Sequence, residues 1–212
     1  MNAASVTRDL IALVADKNIE AALRALLRRN RALGTRRIQA EIYVHPGRDP
    51  GCLRRAHDFL FAQSSSFQHA LVLLDRQGCG SEDGAPALEA EIENRLRSGW
   101  TDRARAIVID PELEIWVWSD SPHVDEVLGW AGRLPGLRDW LVDERLLAKG
   151  ALKPTDPKAA MDRALWAARI PRSSAIYARL AETVSFQRCQ DRAFLRLRQT
   201  LANWFPQIDR HG

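Results

Sequence analysis

Three acidic residues stand where short apolar runs end. Asp16 follows the run 9–15, Asp75 follows 70–74, and Asp110 follows 106–109 with Glu112 and Glu114 close behind. Carboxylates gathered from such positions offer hard oxygen ligands, the donors a magnesium ion prefers before completing its shell with water and substrate phosphate. Two such ions about 3.5–4 Å apart stabilise both the attacking and the leaving oxygen of a phosphodiester. The pattern therefore suits magnesium-dependent phosphoryl transfer, with Asp16, Asp75, Glu112 and Glu114 as candidate catalytic and metal-ligating residues. The same acids also suit a plainer role. Aspartate favours turns and accepts the first amide hydrogens of a helix, as Asp16 could for the residues from Lys17 onward. Glu112 and Glu114, two apart, face one side if 112–117 is extended but not if it is helical.

Phosphate needs cations. Arg48 lies in the turn-rich HPGRDPGC segment at 45–52, where His45 could move a proton near neutral pH and Asp49 could border the same crevice. The prolines and glycines of that segment equally describe an ordered turn. Arg76 follows Asp75 directly. Near the carboxyl end, Arg188, Arg192 and Arg196 recur every four residues on a helical pattern whose other side carries Phe194, Leu197, Leu201 and Trp204. Such a row can follow a nucleic-acid backbone, lie in solvent, or pair with an acidic neighbour. The glycines of 78–84 follow GxGxxxG, without the GK[ST] ending of a phosphate loop, and read as a turn. Cys52, Cys79 and Cys189 have no paired-cysteine spacing, which argues against a disulfide framework or zinc site. The seven tryptophans could stack on bases, but more commonly such residues cement contacts between parts of a fold.

The elements that must position these residues follow from periodicity. Runs 9–15, 38–44, 70–74 and 106–109 read as strands. Helical spacing covers 17–33, 53–61 and a third helix marked by Leu88, Ile92 and Leu96. Strands alternating with helices imply a mostly parallel four-stranded sheet flanked by helices, with ligands at the carboxyl ends of the strands. Beyond Ser119 the pattern is helical at 124–130, 137–147, 159–169, 174–184 and 188–204. Asp156 before Pro157 is an N-cap followed by proline at the first helical position.

With 212 residues, 46% apolar and 27% charged, the chain is an ordinary globule rather than a disordered one. No apolar run approaches the roughly 18–20 residues that span a bilayer, and no secretory start is evident. A cytoplasmic protein with no membrane partner is expected. The net charge of +4 is uneven. Residues 1–150 hold 20 basic and 22 acidic residues, and residues 151–212 hold 11 basic and 5 acidic. The expected division is an α/β core over 1–150 and a basic α-helical annex, a C-terminal extension, over 151–212.

The order of strand, acid, helix with Glu20 four residues after Asp16, then ALVLLDRQG at 70–78 and PELEIWVW at 111–118, resembles TOPRIM-like proteins. The segment KPTDPK at 153–158 resembles one that follows in small bacterial proteins of that kind, and the resemblance spans about residues 8–160. It implies a TOPRIM/Rossmann-like core in which a Glu ending the first strand and a DxD ending the third hold magnesium for nucleic-acid cleavage or joining. It further implies a phage-defence context, such as a methylation-associated multi-gene system, with nucleic acid and other proteins of the cluster as partners. This chain has Asp16 in place of the glutamate, and Asp75-Arg76-Gln77 carries one carboxylate instead of two. Two expectations result: a magnesium-dependent nuclease or phosphoryl-transfer protein, or a non-catalytic TOPRIM-like binding or adaptor subunit of a defence complex.

Overall fold

The apolar runs form one parallel sheet. In a computed structural model describing residues 7–119, 121–185 and 189–207, strands β1 (Arg8–Val14), β2 (Ala40–Val44), β3 (Phe67–Asp75) and β4 (Ala104–Ile109) lie in the order β2-β1-β3-β4. All three pairings are parallel. The central strands are covered on both faces, so Leu10 to Val14 and Ala70 to Leu74 are wholly buried. This is why they read as unbroken apolar runs.

Helix α1 (Lys17–Arg28) joins β1 to β2, α3 (Arg48–Phe61) joins β2 to β3, and α4 (Ala85–Trp100) joins β3 to β4. The chain moves one way across the sheet through α1 and the other way through α3 and α4. Right-handed crossovers therefore put α1 on one face and the other two on the opposite face. The expected helix over 17–33 is divided. Its chain breaks at Arg29, whose guanidinium donates to the carbonyls of Ala181 and Val184, and a short α2 (Asn30–Leu33) follows. Helix α3 begins five residues before the expected start, because Pro50 sits in its first turn, where a missing amide hydrogen costs nothing.

Beyond β4 come a 3-10 turn at Leu113–Trp116 and helices α5 (Pro122–Val127), α6 (Leu137–Asp143), α7 (Pro157–Ala168), α8 (Ser174–Thr183) and α9 (Arg192–Trp204). Helix α8 packs along α1, and α9 packs against β4. Their buried residues belong to the same apolar cluster as the sheet. Tryptophans make several of these junctions. The Trp118 and Trp130 indoles donate to carbonyls of Pro157 and Ala164 in α7, and Trp116 meets Phe194 of α9 edge-on.

The exposed edge of β4 is closed by side chains instead of a fifth strand. Glu93 and Glu89 of α4 accept the amides of Ala106 and Val108, and Arg196 of α9 donates to the Ala106 carbonyl. Covering the edge groups in this way removes a template for association with another strand. Among the described residues no helix is long and apolar enough to cross a membrane.

Candidate metal centre at the carboxyl edge of the sheet

Parallel strands deliver their carboxyl ends to one edge, and there the chain gathers acids. Asp75 is the last residue of β3. Glu112 and Glu114 arrive after β4, beyond Pro111. One carboxylate oxygen from each of the three lies within 4.8 Å of the others. The expectation that a helical 112–117 would separate the glutamates is corrected by where the turn begins. Glu112 is extended, at φ −160°, and Glu114 is in the first turn of the 3-10 segment, so both reach the cluster.

Each acid has different neighbours. Glu112, only 3% exposed, accepts a hydrogen bond of 2.8 Å from Lys158. Glu114, equally buried, is held by Arg172 and by the Tyr177 hydroxyl at 2.5 Å. Burial and the adjacent Glu114 push the Tyr177 hydroxyl above its ordinary pKa, so it remains a donor. By contrast, the Asp75 Oδ1 is buried and has no hydrogen-bond partner. Its backbone amide donates to Asp49 in the first turn of α3, at 2.8 Å.

Electrostatics follow from this crowding. Two unit charges within 4.8 Å repel by at least about 3 kcal/mol at an effective dielectric constant near 20. Burial first, then the charges of Asp49, Glu114, Asp16 and Glu112, raise the Asp75 pKa well above the usual carboxylate range. Asp49 is raised too, chiefly by burial. The cluster can relieve this repulsion by holding a proton or a cation. An orphaned buried carboxylate oxygen beside two further carboxylates is a donor set that fits a hard divalent cation, with Asp75, Glu112 and Glu114 as its protein ligands.

The other candidates divide. Asp16 is outside the group of three: its Oδ1 accepts the amides of Asn18 and Ile19 at 2.8 Å and caps α1, although its charge still acts on Asp75. Arg48 opens α3 on the same edge, exposed, and among the described residues its side chain makes no hydrogen bond or ion pair. Arg76 pairs with Asp110 at 2.7 Å. Arg192 is tied to Glu89, and Arg196 to Glu89 and Glu93, so phosphate contact by either would require those pairs to open. Arg188 lies outside the described residues. His45 is buried: its Nδ1 accepts the Gly47 amide at 2.9 Å, and desolvation lowers its pKa. The glycine turn places Gly78 and Gly80 at positive φ and gives the Gly80 carbonyl to Arg54.

Lys158, Arg172 and Tyr177 escaped the sequence reading as members of this site. The only hint was KPTDPK, which contains Lys158; nothing in local spacing connects Tyr177 to Glu114. Comparisons with protein-family models, curated proteins and solved structures give no match.

Proposed function

We propose that the protein is a magnesium-dependent phosphoryl-transfer protein acting on nucleic acid, a TOPRIM-like nuclease working in the cytoplasm within a bacterial antiviral defence system. The observation that carries this reading is the bare, buried Oδ1 of Asp75 beside Glu112 and Glu114 at the carboxyl edge of a parallel sheet. Bound at these three residues, magnesium would supply Lewis-acid polarisation of a phosphodiester and neutralise the charge that develops on it. The chain's own groups prepare the site. Asp49 fixes the backbone of Asp75, while Lys158, Arg172 and Tyr177 hold the two glutamates in position. Arg48, unpaired among the described residues, is available to a phosphate on that edge. The defence setting and the partners from the same gene cluster rest on the resemblance of the strand-end segments to TOPRIM-like proteins.

The test is nuclease activity on a panel of single- and double-stranded DNA and RNA, with magnesium or with chelator, alone and with the neighbouring gene products. Magnesium-dependent cleavage that disappears in Asp75→Ala is expected. Absence of cleavage together with no magnesium or manganese binding by calorimetry would overturn the reading.

One observation favours a second reading. Glu112 and Glu114 already have the cations Lys158 and Arg172 as partners, which suits a non-catalytic TOPRIM-like subunit that binds a partner protein or nucleic acid. In that case Asp75→Ala leaves defence intact.

A further inference from the structure

Two cations stand among the acids of the cluster, and they are bound unequally. The Arg172 guanidinium is shared by Glu114, the Asp162 carboxylate at 2.7 Å and the Tyr177 hydroxyl at 2.7 Å, and its side chain is 29% exposed. The Lys158 ammonium makes one hydrogen bond among the described residues, to Glu112 at 2.8 Å, and its side chain is 49% exposed. An ammonium has three donors. Drawing Arg172 away from Glu114 breaks a network. Drawing Lys158 away from Glu112 breaks a single bond whose donor already faces solvent.

The backbone under Lys158 does not need to move. Lys158 is the second residue of α7, whose start is fixed by the Asp156 carboxylate, which accepts the Ala159 amide at 2.8 Å, and by the Trp118 indole, which donates to the Pro157 carbonyl at 2.9 Å. The charge therefore rides on a flexible four-carbon stem. It interacts with Glu112 and Glu114 and also with Asp49 in the first turn of α3. Arg48, without a partner among the described residues, immediately precedes Asp49. A divalent ion held by Glu112 repels an ammonium on the same carboxylate. Once displaced, that ammonium is a point-charge donor suited to a phosphate oxygen.

We propose that Lys158 is an exchangeable counter-ion: it occupies Glu112 in the metal-free protein, gives way there to the divalent cation, and then holds a phosphate oxygen of the nucleic-acid substrate, while Arg172 stays on Glu114. The exchange rests on the metal centre proposed above. It also accounts for a glutamate that is partnered and yet able to take a cation, since the ammonium spares Glu112 the cost of lying buried and bare in the metal-free protein.

Calorimetry with magnesium, then with inorganic phosphate as the probe, tests the exchange. Lys158→Met removes the competitor, so it should bind magnesium about tenfold or more tightly than the wild type, the scale of a hydrogen bond to a charged group. The magnesium-loaded variant should bind phosphate about tenfold or more weakly, and Lys158→Arg should retain the phosphate. A lysine that only positions Glu112 gives the opposite sign for magnesium. A second measurement needs no variant. Of the four lysines, Lys158 should be the one that acetic anhydride acetylates faster with magnesium than with chelator, and phosphate should restore its protection, both read by mass spectrometry. Magnesium affinity that Lys158→Met weakens or leaves unchanged, phosphate affinity that it leaves intact, or acetylation of Lys158 indifferent to magnesium would each overturn the exchange alone. No magnesium binding by the wild type would overturn the metal centre, and the exchange with it.

Discussion

Asp75→Asn isolates the electrostatic cost of the acidic cluster. The replacement keeps the shape, removes one charge, and adds an amide that can donate to Glu112 or Glu114. In the wild type the folded-state pKa of Asp75 is raised from its ordinary value of 3.8. Below that value Asp75 is protonated both folded and unfolded and contributes no pH dependence. Above it the unfolded chain releases the proton while the folded protein keeps it, so stability falls as pH rises, by about 1.4 kcal/mol per pH unit from this one group, until the folded-state pKa is passed. The geometry sets the scale. A full charge within 4.8 Å of another costs at least about 3 kcal/mol per pair at an effective dielectric constant near 20, before Lys158 and Arg172 offset it. Urea unfolding of both proteins in chelator across pH 4–8 measures the difference directly. Asp75→Asn should gain on the wild type steadily as pH rises from about 4. Magnesium at one hundred times its dissociation constant should then return about 2.7 kcal/mol to the wild type and much less to the variant. Parallel stability curves in chelator, with no differential response to magnesium, would refute the account of a crowded carboxylate cluster.

Two further predictions concern the scaffold. Arg196→Ala should destabilise the protein by about 1–3 kcal/mol in chemical denaturation, because it leaves the buried Glu89 with one cation fewer and bares the Ala106 carbonyl on the β4 edge. Glu89→Gln/Arg196→Ala should recover part of that loss. Gly51→Ala should cost more than about 2 kcal/mol, since its Cβ would fall 2.2 Å from the His45 Nδ1; removing the ring in His45→Ala/Gly51→Ala should lessen the penalty of the glycine replacement.

Much of the architecture was legible because burial writes itself into composition. The runs 9–15 and 70–74 are apolar at every consecutive position near their centres, as strands covered on both faces must be, and they became β1 and β3. Bounds were less legible where tertiary contacts decided them. Nothing local to Arg29 announces that distant carbonyls of α8 will draw its side chain and interrupt a helix. Pro50 looks like a breaker until its place in a first turn is known. At the site, Asp75, Glu112 and Glu114 were visible as acids after strands. Lys158 and Arg172 were not, because they reach the glutamates across 46 and 58 residues of sequence. Asp16 obeyed the local rule for an N-cap instead of the long-range one for a ligand.

The distribution of charge separates acids that build the fold from those that do not. Of the three courses open to the arginine row, a nucleic-acid backbone, solvent or an acidic neighbour, Arg192 and Arg196 take the last, meeting Glu89 and Glu93 of α4, acids that themselves cap the amides of β4. Those acids have partners for structural reasons: a buried carboxylate without a counter-charge or donor is expensive, and the fold supplies both. Glu112 and Glu114 are also partnered, though by residues from α7 and the segment before α8. Asp75 breaks the pattern. It stands at the end of a central strand, its Oδ1 buried and bare, among four other acids that raise its pKa. A residue serving only the sheet would be replaced by asparagine or serine at a gain in stability. Its cost to the folded protein is therefore the physical argument for a cation-binding role, and the same cost makes Asp75→Asn the most informative substitution in the chain.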